Sequence, residues 1–221
     1  MIEELERLAT RKTLDGMTRF GIPNERALGV TMGDMRRLAE GIGSDHELAL
    51  ELWKSGCYEA RTVAVFVDDP TQVSRSQMNA WARDFDSWAI CDTTCLHLFD
   101  RTPHAWSRIR RWAPARREFV RRAAFALIWA LSVHDKSATD GQFEEALTLI
   151  ERHGNDERPL VKKAVDMALR AVGKRNRALN RKSIRVAKRL QKAEDRSLVW
   201  IGKHALKELE SAKVQQRVAH R

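Results

Sequence analysis

No unbroken apolar run of about 18 residues occurs in this chain, which excludes a helix able to cross a bilayer. The first residues, Met1-Ile2-Glu3-Glu4-Leu5-Glu6, are acidic and lack the apolar stretch of a secretory leader. Cysteine is scarce and odd in number: there are three, and Cys91 and Cys95 fall four apart on one expected helix, a pattern that does not fit an extracellular disulfide framework. A reduced, cytosolic protein with no membrane partner is therefore expected. The seven histidines show no His-Glu-x-x-His spacing, and no Gly-rich phosphate loop is present. Cys91, Cys95 and His97 are close in sequence, yet no second Cys/His pair completes a tetrahedral set. Hydrolysis driven by a metal or a nucleotide is unsupported, and no metal or cofactor is expected. Low-complexity segments and long linkers are also missing, so residues 1–221 read as one domain.

Positive charge is abundant and unevenly placed. The net charge is +10, but residues 158–221 hold 19 Lys/Arg against five Asp/Glu, a balance of +14 that leaves −4 for the rest. From Lys174 to Lys192 there are nine basic residues and no acidic one, with Leu179, Ile184, Ala187 and Leu190 spaced to bury the opposite side. Nucleic acid, an anionic membrane or an acidic protein would each suit such a surface, and charge alone favours nucleic acid.

Helical periodicity runs almost throughout, with no competing strand. Helices are expected near 2–14, 31–41, 45–55, 58–68, 74–85, 88–99, 103–112, 116–134, 141–153, 159–173, 178–193 and 196–210. Thr31, Asp45 and Ser74 suit N-caps, Pro103 and Pro159 suit first turns, and Gly43, Gly56, Gly154 and Gly173 fall where helices should stop. Leu127, Ile128 and Leu131 make 116–134 the most apolar helix. Trp53, Trp81, Trp106, Trp112, Trp129 and Trp200 are expected to pack between helices.

A sentence recurs: Glu59-Ala60-Arg61-Thr62-Val63-Ala64, Val120-Arg121-Arg122-Ala123-Ala124 and Val161-Lys162-Lys163-Ala164-Val165. The 41 residues between Arg122 and Lys163 approach the period of stacked helix pairs. The expectation is an all-α solenoid of HEAT- or armadillo-like antiparallel helix pairs, in which a repeated cation becomes a row of charge along a concave groove. Arg61, Arg121, Arg122, Lys162, Lys163, Lys174 and Arg175 are the candidates for contacts to DNA phosphates, although in each adjacent pair one member can turn outward and pair with an acid.

One segment carries a possible chemistry. In Ser87-Trp88-Ala89-Ile90-Cys91-Asp92 an indole and a carboxylate sit four apart, hence on one face of a helix. Together they suit a cationic sugar or base. Spacing alone favours the plainer assignment, with Trp88 in the core and Asp92 a surface acid or ion-pair partner.

Taken in order, Ser87-Trp88 to Asp92, Phe119-Val120-Arg121-Arg122-Ala123, Leu160-Val161-Lys162-Lys163-Ala164-Val165 and Gly173-Lys174-Arg175-Asn176 resemble the DNA alkylation repair family, the AlkD-type glycosylases of HEAT-like repeats, over roughly residues 15–210. The resemblance implies a monomeric solenoid holding double-stranded DNA and a metal-free hydrolysis of the N-glycosidic bond of cationic N-alkylated purines, 3-methyladenine and 7-methylguanine. It implies Asp92 as the catalytic aspartate, Trp88 as its neighbouring cleft tryptophan, Arg122 as the arginine holding the backbone, and Phe20 as an aromatic tip. Two positions depart from the family pattern: Met167 stands where a tryptophan is frequent, and Ala89 where an acid commonly follows Trp88. A family member that binds damaged or branched DNA without turnover is the alternative, and a HEAT-like protein-interaction scaffold is a third.

Overall fold

The computed structural model describes residues 1–220, and among them it has fourteen α-helices, one short 3-10 turn and no strand. Internal contacts divide the chain into two compact units, one spanning Met1–His104 and one from Ala105 onward.

The first unit contains α1 (Ile2–Leu8), α2 (Arg11–Arg19), α3 (Met32–Ile42), α4 (His46–Lys54), α5 (Tyr58–Val67), α6 (Arg75–Asp84) and α7 (Trp88–His97), followed by the 3-10 turn Phe99–Arg101. Its centre is α5, whose Ala60, Val63, Ala64, Val65 and Val67 are shut off from solvent, and against which α1, α3, α4 and α7 pack. Each large apolar side chain so buried contributes about 1.5–3 kcal/mol. Thr31, Asp45 and Ser74 cap α3, α4 and α6 by accepting from the backbone N–H three residues on, as their sequence positions suggest. Beside α5, Trp53 and Trp81 stack with centroids 3.9 Å apart and planes 3° from parallel.

One buried charge organises the N-terminal end of this unit. Glu59 of α5 is fully buried, and its carboxylate accepts from the amides of Leu28 (2.9 Å), Gly29 (2.8 Å) and Val30 (3.3 Å). A carboxylate removed from water persists only when its lone pairs are met in this way. Gly29 also accepts from the Thr10 amide at 2.9 Å, and a Cβ at Gly29 would stand 2.5 Å from the Thr10 carbonyl, so only glycine fits there. The single helix expected over 2–14 is accordingly two. Thr10 adopts extended backbone, lends its amide to Gly29, and caps α2 by accepting from Thr13.

The second unit contains α8 (Ala105–Trp112), α9 (Glu118–His134), α10 (Asp140–His153), α11 (Pro159–Val172), α12 (Arg177–Gln191), α13 (Arg196–Leu209) and α14 (Ala212–Ala219). Most of α9 is buried, including Leu127, Ile128 and Leu131, in line with its expected apolar character. In sequence α9, α11 and α13 alternate with α8, α10 and α12, and α9 packs on α11 and α11 on α13. Side-chain contacts tie neighbouring repeats together, among them Arg122 to Leu160, Asp166 to His204, Arg170 to Glu208 and Arg189 to Glu151. The helices α9 and α11 begin 41 residues apart, at Glu118 and Pro159, the spacing of Arg122 and Lys163, so these two residues hold matching positions in their helices.

Local chemistry sets the remaining details. Pro159 opens α11, whereas Pro103 lies in the turn ahead of α8 instead of in its first turn. Gly202 lets α13 approach α12 closely, since a Cβ there would meet the Gln191 amide nitrogen at 2.4 Å and the Ala187 carbonyl at 2.6 Å. The expected buried side of α12 is shifted: Leu179, Ala187 and Leu190 are buried with Asn180, Ser183 and Val186, while Ile184 is half-buried. Replacing Glu59 with glutamine would turn an amide NH2 toward backbone donors and leave at least one of them unmet. Glu59→Gln is expected to lower stability by about 2–3 kcal/mol, read as a lower urea midpoint, and an unchanged midpoint would show that this carboxylate does not hold the unit together.

Candidate functional site

The N-terminus of α7 presents Trp88 and Asp92. Ser87 caps the helix, accepting from the Ile90 amide at 3.4 Å, while Ala89, Ile90, Cys91, Thr94 and Cys95 turn inward. That leaves Trp88 and Asp92 one turn apart on one face, both half-buried. The indole is held from outside its own helix: Trp88 Nε1 donates to the Phe20 carbonyl at 2.9 Å. Phe20 ends α2, and its ring is 69% exposed. The anchoring by Glu59 and Gly29 thus reaches this face through α2, bringing Phe20, Trp88 and Asp92 into one unit. Asp92 is itself engaged by neighbouring groups.

The two cysteines of α7 are buried. Burial pushes the Cys95 thiol well above its ordinary range, helped by its hydrogen bond to Cys91 and by the nearby charges of Cys91, Asp92 and Asp100. Cys95 is therefore a protonated thiol at neutral pH and no nucleophile. Among the described residues no group of three or more His, Cys, Asp and Glu side chains is placed to share a metal ion. Arg61 lies in the same unit with its guanidinium 5.1 Å from the centre of the Trp53 ring, Nε donating to the Trp53 carbonyl and Nη1 to that of Asp84, each at 3.3 Å.

In the second unit the candidate cations occupy different environments. Arg122 is 5% exposed and donates to the Leu160 carbonyl. Arg121 donates to the His153 carbonyl at 2.6 Å and pairs with Asp156 at 3.3 Å, and burial lowers its guanidinium from the ordinary value. Lys174 pairs with Glu208 at 2.6 Å. Arg175 donates to the Ser132 carbonyl at 2.9 Å and the Leu131 carbonyl at 3.3 Å, closing the C-terminus of α9, and lies 4.1 Å from the centre of the Phe143 ring. Lys163 is exposed, and Met167, on the same helix, is half-buried.

Lys162 belongs to a ladder between α11 and α13 that sequence reasoning missed. Its ammonium stands 5.1 Å from the centre of the Trp200 ring. One turn on, His204 Nδ1 meets Asp166 Oδ2 at 2.9 Å while its ring stacks on Trp200 at 5.0 Å, and a turn further Arg170 pairs with Glu208. Trp200, expected to pack between helices, does so against α11 while remaining 38% exposed. The pairing depends on how α11 packs on α13, which no local sequence signal records.

Compared with known proteins, residues 1–209 match the family model described as DNA alkylation repair enzyme. A solved structure from a family described as related to the HEAT-like repeat DNA glycosylases, with affinity for branched DNA structures, superposes with a TM-score of 0.75 at 23% identity, covering 85% of this chain and 80% of that one. The fold is thus that of the HEAT-like repeat proteins. A designed armadillo repeat protein aligns at a TM-score of 0.35 and 13% identity, over 90% of this chain and all of that one (100%). No curated protein matches the chain.

Asp156 offers a test of how the α11 approach is held. Burial resists its ionisation, yet hydrogen bonds and charge from Arg158, with charge from Arg121, bring its carboxyl below the ordinary 3.8. A lowered folded-state value means stability that is present above the unfolded value and is lost as pH falls through the folded one. Asp156→Asn is expected to destabilise by about 2 kcal/mol at pH 7, with the gap to the parent closing below about pH 4 in chemical denaturation at several pH values. A gap independent of pH would show that the ion pairs are not its source.

Proposed function

The chain belongs to the DNA alkylation repair enzyme family, and from that premise we propose that it is a DNA glycosylase that hydrolyses the N-glycosidic bond of cationic N-alkylated purines, 3-methyladenine and 7-methylguanine, in double-stranded DNA. The observation that carries this reading is the Trp88–Asp92 face of α7, one turn from indole to carboxylate, with the indole fixed by the Phe20 carbonyl.

An alkylated purine already bears positive charge. When its bond to C1′ breaks, the electron pair leaves with the base, the base departs neutral, and no general acid is needed. The sugar acquires cationic character instead, and this is the charge to be stabilised. Asp92 supplies a fixed negative charge for it and orients water, whose oxygen bonds to C1′ while its proton passes to the carboxylate or to solvent. Trp88 lines the sugar and narrows solvent access, which strengthens the electrostatics of Asp92. Phe20, exposed at the end of α2, contacts the duplex beside it.

Arg122 is assigned to a backbone phosphate, and Arg121, Lys162, Lys163, Lys174 and Arg175 to further phosphates, with Arg61 and Met167 as additional contacts. Supporting Lys162 and Lys163 most is their place at the start of α11, while Arg175 and Lys174 already serve carbonyls and a carboxylate. Phosphate contacts carry no base code, which suits a protein that must accept any flanking sequence. A chain of this kind acts as a monomer and needs no cofactor.

A second reading, binding of damaged or branched DNA without turnover, is favoured by Met167 and Ala89, because methionine lacks the extended π-face that stabilises a cation. Base release decides between the two. Asp92→Asn is expected to slow release of 7-methylguanine from methylated duplex by about 10²- to 10³-fold while DNA affinity stays close to the parent's. A variant that released base as fast as the parent would remove Asp92 from the mechanism, and a parent with no release would favour the binding-only reading.

A further inference from the structure

The basic side of α12 is not uniformly available, and the division is informative. Three of its cations are neutralised by neighbours: Lys182 pairs with Glu144, Arg189 with Glu151 at 2.7 Å, and Lys188 with Glu210 at 3.0 Å. Arg177, Arg181 and Arg185 are exposed, and among the described residues no carboxylate pairs with any of them. They follow one another by four, forming a single stripe with steps of about 6 Å. Glu144 and Glu151 belong to α10, and Glu210 follows α13, so the ion pairs flank the stripe without covering it.

Stability does not account for this arrangement. Arg177 opens the helix, where no acidic residue occupies the first turn, and a cation there faces the positive end of the helix dipole. Successive arginines a turn apart repel one another as well. An array that opposes its own helix is explained when a polyanion covers it. A duplex carries one negative charge per about 1.7 Å of axis, so a stripe spanning about 12 Å meets several phosphates at once.

The stripe also differs in placement from the cations already assigned. Leu179, Asn180, Ser183, Val186, Ala187 and Leu190 form the buried side of α12, which packs toward α11 and α13. Arg177, Arg181 and Arg185 point away from that side, and so away from the helices that carry Lys162, Lys163 and Trp200. Membrane insertion is disfavoured because the apolar residues of α12 are turned inward and none of its side chains is an exposed large hydrophobic.

We propose that Arg177, Arg181 and Arg185 form a second face for duplex DNA, so that one molecule can hold two duplex segments, one on the α11–α13 side and one along α12. The identity of the polyanion rests on the DNA reading given above, but not on base hydrolysis. Guanidinium groups in this row grip phosphates without reading sequence.

The test mixes two short duplexes carrying donor and acceptor dyes and measures energy transfer as the full-length protein is titrated in at several salt concentrations. The parent is expected to bring the duplexes together. R177E/R181E/R185E is expected to abolish transfer while still binding a single duplex, and the alanine triple variant to flatten the salt dependence of bridging by about 2.7 in logarithmic slope, 0.9 for each arginine. Circular dichroism and thermal melting of both variants keep loss of fold separate from loss of contact. Bridging that survives R177E/R181E/R185E, a salt slope of bridging unchanged in the alanine triple variant, or a parent that never bridges, overturns the proposal. So would a parent that binds vesicles of phosphatidylcholine and phosphatidylserine through the same arginines more tightly than it binds duplex. Base release by the parent serves as the internal reference: a parent that bridges duplexes without releasing base would leave this second face standing while the hydrolytic reading fails.

Discussion

A carboxylate sealed from water must find all its partners inside the protein, and in the first unit that requirement falls on Glu59. Its partners are three consecutive backbone amides, Leu28 to Val30, and the Cys57 thiol, and so the charge fixes a main-chain segment. Fixing that segment fixes Gly29, Gly29 fixes Thr10, and Thr10 decides where α2 begins. At the other end of α2 the Phe20 carbonyl receives the Trp88 indole. The geometry of the α7 face is in this sense set from α5, through three short links, each a hydrogen bond whose loss would leave a polar group unmet.

Little chemistry is then required of the face itself. Where the leaving base brings its own positive charge, catalysis reduces to presenting a negative charge to a sugar and keeping a wall beside it. The energetics favour a carboxylate held by a rigid helix, because preorganised charge costs no rearrangement at the moment of reaction. The second unit carries many cations on a repeat that sets helices side by side. A fold built from repeats suits this division of labour, since the same turn of successive helices can be given a different residue without disturbing the stack.

Much of this was legible in the sequence, for identifiable reasons. Caps at Thr31, Asp45 and Ser74, the first-turn Pro159 and the stops at Gly43, Gly154 and Gly173 are local signals, and local signals survive into the structure. The pairing of Trp88 and Asp92 followed from helical spacing. What failed depended on distant partners. The break at Thr10 arises because Gly29 competes for its backbone, which no propensity records. Trp200 was expected between helices, and it lies there against Lys162 of α11, though partly at the surface.

The central claim is that Asp92 answers a charge generated on the sugar while the leaving base needs no proton. The most direct measurement compares single-turnover release of 7-methylguanine, which is cationic in DNA, with release of hypoxanthine, which is neutral, from otherwise identical duplexes. The account predicts release of the cationic base well above spontaneous loss and no measurable release of the neutral one. Equal release of both bases would require a proton donor that this account does not contain, and would contradict it.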